Sequence, residues 1–431
     1  MTNRLQQFAA NYPLLSRWAG LLSVTGGGQL AIQGLGFLSG ILVIRLLSPE
    51  QYAYYTLVNT MLGTMTVLAD GGISAAVMAE GGKVWQDRRE LGRVLATGLD
   101  LRRKFALGSM AVSLPILYYL LDRQGVPYYW SLLLIVALMP TFYAALSTSL
   151  LNIVPRLHQE VNRSLGIDVR MNVWRLVATL GGLLLFPFAV SAILASGLGQ
   201  LRANALLRKL SSRHADWAEA PPDPEYRRRI LRVVRRVLPG SIYYCLSGQI
   251  TVWLISIFGS TTGIAQIGAL GRLMVLLMLI QSSLDLLIVP RFARLLEERR
   301  QVVLRFLQVL GAVSAVALAL VGAVWLLPEV FLFILGPDYA DLEREVLLMT
   351  VSSSLSLIGS TINRLASARA IIPNPAVFLG VIIGGQALIL AFLVDYGTVT
   401  GVLWFGIYAA LLGVIFRIIH FFYHSYSTSD R

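Results

Sequence analysis

The chain has 431 residues, 56% of them hydrophobic and 14% charged, with a mean hydropathy of +0.68 and a formal net charge of +13. Soluble domains carry about 25% charged residues, so too few are present to coat a water-soluble core of this size, and the composition specifies a polytopic membrane protein. Open sheets cannot span lipid, and the apolar runs far exceed barrel strands, which leaves α-helices as the spanning element.

Twelve helices are expected, over 21–46, 51–78, 98–121, 129–153, 165–186, 188–209, 238–259, 263–288, 303–327, 340–367, 373–394 and 398–423. The first contains Gly26-Gly27-Gly28, then Gln29 and Gln33 one turn apart, then Gly36 and Gly40, a small-xxx-small face that admits another backbone closely. Ser48-Pro49 marks the turn into the second, where Pro suits the first helical position. That second helix holds Asn59, Thr60, Thr64, Thr66 and finally Asp70 among apolar residues. A carboxylate within a span costs roughly 2.5–3.5 kcal/mol on insertion scales, so Asp70 requires a partner or water. Asp100, Arg102, Arg103 and Lys104 crowd the start of the third helix, which reads as an amphipathic segment on the membrane surface.

Between the sixth and seventh helices lies the one obvious linker, 210–236. It holds Ala220-Pro221-Pro222-Asp223-Pro224, then Arg227, Arg228, Arg229, Arg232, Arg235 and Arg236. It divides the chain into 1–209, 210–236 and 237–431, six helices on either side. Its basic half reads either as an amphipathic helix at the inner leaflet or as a solvated loop that fixes topology. Lys and Arg cluster in alternate connections, which the positive-inside rule places in the cytoplasm together with both termini. A weak internal repeat relates 41–76 to 254–289, with Leu57 and Asp70 answered by Leu270 and Asp285 at nearly the same offset. Such repeats are common in transporters that bind substrate between their halves.

The basic residues interleave with apolar runs, so they read as contacts for anionic lipid head groups, with no nucleic-acid partner expected. The single cysteine, Cys245, excludes an internal disulfide and a cysteine metal cluster. Residues 1–20 are mixed and polar, and no cleavable signal peptide is expected. There is no P-loop and no recognisable nucleophile motif, so the chain is not expected to be an enzyme. His420 and His424 stand one turn apart where the last helix leaves the membrane, without a second cluster, and read as interfacial anchors. No cofactor is expected beyond Na⁺ or proton coupling.

The informative residues are ionisable ones within spans. Arg272 lies near mid-depth of the eighth helix beside Gly268 and Gly271, and reads as an anion-binding group facing a cavity or as a structural partner, with Asp70 a candidate. Arg175 and Arg45 are further candidates, with snorkelling to head groups an equal reading for Arg45. Gln33 is a candidate polar contact on a hydrated cavity, its alternative being an interhelical hydrogen bond worth about 0.6 kcal/mol. Asp70 and Asp285 are candidate ion-coupling carboxylates, Asp70 before Asp285, since an apolar setting raises a carboxyl pKa and suits proton transfer; the alternative for each is an ion pair with an arginine. Arg364 and Arg417 read as anchors near helix ends.

Three segments resemble the polysaccharide-flippase branch of the multidrug/oligosaccharidyl-lipid/polysaccharide exporter superfamily. They are Arg45-Leu-Leu-Ser-Pro-Glu-Gln-Tyr52 with Leu68-Ala-Asp70-Gly-Gly-Ile-Ser74; Ile267-Gly-Ala-Leu-Gly-Arg272-Leu with Ile288-Val-Pro290-Arg-Phe-Ala-Arg294; and Phe333-Ile-Leu-Gly336-Pro337-Asp-Tyr339. The resemblance implies two pseudo-symmetric six-helix lobes around a central cavity lined by helices one, two, seven and eight. It implies a lipid-linked oligosaccharide, usually on polyprenyl diphosphate, moved across a bacterial inner membrane for surface polysaccharide synthesis. A polysaccharide polymerase and a chain-length regulator are the implied protein partners. Cavity arginines would meet diphosphate or acidic sugars, as Arg272 and Arg175 are placed to do. The alternatives are a drug or metabolite exporter of the same superfamily, which calls for acidic cavity residues, and a non-transporting membrane partner of the assembly machinery.

Overall fold

The computed structural model describes residues 13–217, 220–293, 299–369, 371 and 373–427. Among these the secondary structure is helical throughout, with no strand. The helices are α1 (Pro13–Leu46), α2 (Pro49–Asp70), α3 (Ile73–Lys83), α4 (Arg88–Arg123), α5 (Tyr128–Leu151), α6 (Ile153–Leu157), α7 (Val161–Leu185) and α8 (Ala189–Ser211). They continue with α9 (Pro224–Phe258), α10 (Thr261–Leu273), α11 (Val275–Leu287), α12 (Val289–Ala293), α13 (Arg299–Leu326), α14 (Pro328–Leu335), α15 (Glu343–Ala368), α16 (Pro375–Phe392) and α17 (Val399–Ser427). Among the described residues eight helices are long and apolar enough to cross a membrane, or nine if α2 and α3, bent by 42°, form one span. Three of the expected twelve are not among these. α7 carries Arg163, Asp168, Arg170 and Arg175, and α8 carries Arg202, Arg208 and Lys209, charges that dilute their hydropathy. The third is broken at Met274 into α10 and α11, neither long enough to span alone. The architecture is that of an all-α polytopic membrane protein.

Two compact units are present, and they do not follow chain order. The first comprises Met1–Val43, Met61–Tyr118 and Tyr128–Ile242; the second comprises Ile44–Thr60, Tyr119–Pro127 and Tyr243–Arg431. The junction after Ile242 lies inside α9. The end of α1, the start of α2 and the loop after α4 belong to the second unit. That loop is tied in by Gln124, whose Nε2 donates to the Ser256 carbonyl at 2.9 Å and whose Oε1 accepts from Thr261 Oγ1 at 2.9 Å.

In the first unit the core gathers Ile73 and Val77 of α3, Leu91, Val94 and Leu95 of α4, Leu150 of α5 and Leu207 of α8. α9 adds Ile230 and Val234 to it. The basic half of the expected linker is therefore helical, the first part of α9. Asp223 caps it, accepting from the backbone N–H of Glu225 at 2.7 Å and of Tyr226 at 3.2 Å, and Pro224 opens it. Arg228, Arg232, Arg235 and Arg236 are exposed on the face away from Ile230 and Val234, and Arg227 is exposed in the first turn, an amphipathic pattern. In the second unit α15 packs on α17 and α13, and the rings of Phe306 and Phe421 stack at 3.9 Å.

The turns after α6 and α8 bring two histidines together. The rings of His158 and His214 lie 4.1 Å apart, Trp85 meets His158 edge-on, and Glu160 Oε2 is 3.5 Å from His214 Nε2. Burial, reinforced by the neighbouring His214, holds the His158 imidazole below its ordinary pKa, against a smaller opposite pull from Glu160. The unfolded chain then takes up a proton near pH 6.5, before the folded chain does. This contribution to stability is complete above about pH 6.5 and declines as pH falls through the window down to the folded value. Thermal unfolding of the purified protein is expected to shift downward between pH 7 and pH 5, and His158→Gln to flatten that slope.

Candidate functional site

Within the second unit, residues 45–52, 267–273 and 333–339, one stretch from each of the three family-like segments, come together. Tyr52 and Tyr55 stand one turn apart on α2, and their phenol groups are the polar neighbours of the Arg272 guanidinium on α10. Its Cζ also lies 6.0 Å from the Tyr55 ring centroid. Tyr52 is 1% exposed and Tyr339 is 2% exposed, and their rings meet edge-on at 6.4 Å. Gly268 is what allows this approach: a Cβ there would lie 2.4 Å from Thr56 Oγ1. The glycine thus gives room for α2, where the sequence alone pointed to room beside Arg272. Gly268→Val is expected to force α10 off α2 at a cost of about 1–3 kcal/mol, read as lower membrane abundance and a lower unfolding temperature.

Arg272 lies eleven residues into the α10–α11 pair, about 17 Å at 1.5 Å per residue, which is half of a ~30 Å hydrocarbon core. Two residues later the helix breaks at Met274. No carboxylate lies within 4.0 Å of Arg272 among the described residues, so its neighbours there are phenols and not a counter-charge.

Arg45 is engaged differently. Its Nε donates to the Ile334 carbonyl at 3.0 Å and its Nη2 to the Phe333 carbonyl, with the Phe333 ring 5.2 Å from Cζ. These are orphan carbonyls of the last turn of α14, which ends at Gly336 with φ 111°. A cation at a helix C-terminus is favourable. A cavity of about 580 Å³ lies beside it, lined by Arg45, Glu329, Phe333 and Gly336.

Within the first unit, Asp70 is held by Arg102, whose Nη2 lies 3.2 Å from Oδ1. Ser74 donates to the same oxygen through its N–H at 3.2 Å and its hydroxyl at 2.6 Å, and the Gly72 N–H reaches Oδ2 at 3.4 Å. Arg102 also donates to Ser74 Oγ at 3.3 Å and to Ser149 Oγ. Asp70 thus ends α2 and serves the first N–H groups of α3, across a bend made by Gly71 at φ 49° and Gly72 at φ 96°. The φ values and the closeness of Val237, 2.9 Å from a Cβ at Gly72, require glycine there. The partner considered for Asp70 in the sequence was Arg272; the structure supplies Arg102.

Arg175 of α7 reaches α1, its Nη2 lying 3.3 Å from where a Cβ at Gly36 would stand, and its backbone sits over Gly199 of α8. Gln33 is partly buried on α1. Arg45 and Arg272 thus fall in the second unit, and Asp70, Arg175 and Gln33 in the first. The side chain of Asp285 lies outside the described residues, as does that of His424.

Tyr52, Tyr55, Tyr339 and Arg102 are the contributors that sequence reasoning did not single out. The tyrosines carried a signal, Tyr52 and Tyr55 being one helical turn apart directly after the Ser-Pro turn. Arg102 carried a weaker one, discussed below.

No protein-family model matches the chain, and no curated protein matches it. Solved structures do. An inward-facing multidrug resistance MATE family transporter of the MOP superfamily superposes with a TM-score of 0.68 at 16% identity, covering 90% of this chain and 94% of that one. The lipid II flippase MurJ, in an inward closed conformation, gives a TM-score of 0.70 at 14% identity, covering 92% and 86%. An outward-facing MATE family transporter gives 0.56 at 15% identity, covering 95% of each. The chain has the fold of these proteins.

Proposed function

We propose that this protein is a flippase that moves a lipid-linked oligosaccharide across a bacterial inner membrane by alternating access, with both termini cytoplasmic. The observation that carries the reading is Arg272: a mid-span guanidinium held by two phenols, with no carboxylate beside it among the described residues. A permanent cation at that depth is costly without a counter-charge or water. A diphosphate or acidic sugar supplies that charge during transport, and the planar guanidinium fork suits bidentate phosphate recognition. Arg175 and Gln33 are the further head-group contacts on this reading. Arg45 supports α14 and offers its remaining donors beside the cavity it lines.

An exporter of cationic drugs calls instead for an unpaired carboxylate in a span. Asp70 is occupied by Arg102 and the α3 N-terminus. Na⁺ or proton coupling through Asp70 would require Arg102 to release it during the cycle, and Asp285 is the second coupling candidate. The MurJ-like fold fits a lipid-linked substrate and contact with membrane lipids; a polymerase and a chain-length regulator complete the proposed assembly. The test is complementation of a flippase-deficient strain that makes a surface glycan: wild type restores export, and the Arg272 variants described in the Discussion do not.

A further inference from the structure

Another cavity lies wholly within the second unit, lined by α9, α15, α16 and α17, with a volume of about 410 Å³. That is within the ~300–1,000 Å³ range of small-molecule sites. Its origin is legible in the helix faces. On α9, Tyr243, Ser247 and Thr251 recur every fourth residue; on α15, Ser352, Ser353, Ser356 and Ser360 share one face. On α17, Gly406, Ala410 and Gly413 leave the space, and Arg417 follows one turn later. Gln386 of α16 adds an amide.

Among the described residues that line the cavity, Arg417 is the one that is charged, and none is a carboxylate. Its Nη1 donates to the Gly413 carbonyl at 3.0 Å, its Cζ lies 5.2 Å over the Phe378 ring, and its Nε is buried without a hydrogen-bond partner. No carboxylate lies within 4.0 Å of it among the described residues. Glycine at 413 is needed for this seat, because a Cβ would stand 2.8 Å from Nη1. The guanidinium is therefore turned onto the cavity wall, where the sequence read an interfacial anchor.

We infer that this cavity is a binding site for an acidic sugar, one bearing a carboxylate or a phosphate. The guanidinium meets the anion, the serine and threonine hydroxyls and Gln386 meet the sugar hydroxyls, and Tyr243 with Phe378, edge-on at 6.2 Å, present apolar surface to the ring. A cation site is disfavoured by the absence of any lining carboxylate. The inference shares the glycan chemistry of the proposed function but concerns a separate site, and its test does not use transport.

The experiment titrates the purified full-length chain, in nanodiscs of zwitterionic lipid, with glucuronate, glucose 1-phosphate, glucose and sodium chloride at matched ionic strength. Saturable calorimetric binding is expected for the two acids, at least tenfold weaker binding for glucose, and none for chloride. Arg417→Gln should weaken both acids at least tenfold and Arg417→Lys less. Ala410→Leu, which fills the cavity and keeps the guanidinium, should abolish binding. Equal affinity for glucose and glucuronate, saturable chloride binding that competes with the acids, absence of acid binding by wild type, or unchanged acid binding by Ala410→Leu overturns the inference. Export of a neutral glycan with no acid binding sinks this site and leaves the flippase standing; acid binding without export does the reverse.

Discussion

Arg272→Ala is expected to abolish glycan export, by about two orders of magnitude or more, while leaving the protein in the membrane near wild-type abundance. The loss follows from removing the charged member of a buried contact, which costs about 2–5 kcal/mol or more. The abundance follows from what Arg272 touches. Its neighbours are Tyr52 and Tyr55, whose hydroxyls lose only neutral acceptance when the guanidinium goes, and no carboxylate is stranded among the described residues. Arg272→Lys keeps the charge and loses the fork, so partial export is expected. Tyr52→Phe with Tyr55→Phe keeps the charge and removes its positioning, so export should fall less than with alanine. If the alanine variant instead disappears from the membrane and the double phenylalanine variant does too, the cluster is structural and the assignment fails.

Arg102→Leu is the opposite case, a variant expected to fail in folding. The Arg102 side chain is 3% exposed and that of Asp70 28% exposed. Removing the cation leaves a largely buried carboxylate at the α2–α3 bend, and breaking such a pair costs about 3–5 kcal/mol. That is a large part of a domain's ~5–15 kcal/mol, so membrane abundance and unfolding temperature should both drop. Asp70→Asn combined with Arg102→Leu should recover part of the loss, since the amide oxygen still accepts from the Ser74 N–H. Equal abundance of Arg102→Leu and the double variant would show that the pair contributes nothing. Where the Asp70→Asn variant is stable, its export as a function of Na⁺ and pH tests the coupling role proposed for that carboxylate.

The contrast between these two arginines shows what the sequence could convey. Composition and run length specify the all-helical membrane fold because they report on transfer from water, which is additive along the chain. The α2–α3 bend interrupts the helix expected over 51–78, and its cause is local: Ala69-Asp70-Gly71-Gly72 combines a carboxylate cap with two glycines able to take positive φ. Arg102 was obscured because α4 starts at Arg88, well before the expected residue 98. Leu91, Val94, Leu95 and Leu99 recur at helical spacing there, but alternating charges lower the averaged hydropathy. Arg102 therefore belongs to the packed face of a long helix and not to a helix start.

The break at Met274 had no Gly or Pro at the breaking residue to announce it. The grouping of 44–60 and 119–127 with the second unit depends on tertiary contacts such as Arg45 on α14 and Gln124 on Ser256, which no local pattern encodes. The contacts of Arg417 were hidden for a related reason. Position near a helix end suggests snorkelling, whereas the glycine at 413 lets the guanidinium turn back along its own helix.

The central claim is that the transported species is an anionic lipid-linked glycan met by Arg272. The direct measurement reconstitutes the purified chain in proteoliposomes and follows a fluorescent polyprenyl-diphosphate oligosaccharide from one leaflet to the other, with ethidium as a cationic comparison. Wild type is predicted to flip the diphosphate lipid and not to move ethidium, and Arg272→Ala to move neither. Ethidium transport by wild type with no flipping of the diphosphate lipid, or flipping that is unchanged in Arg272→Ala, would contradict it.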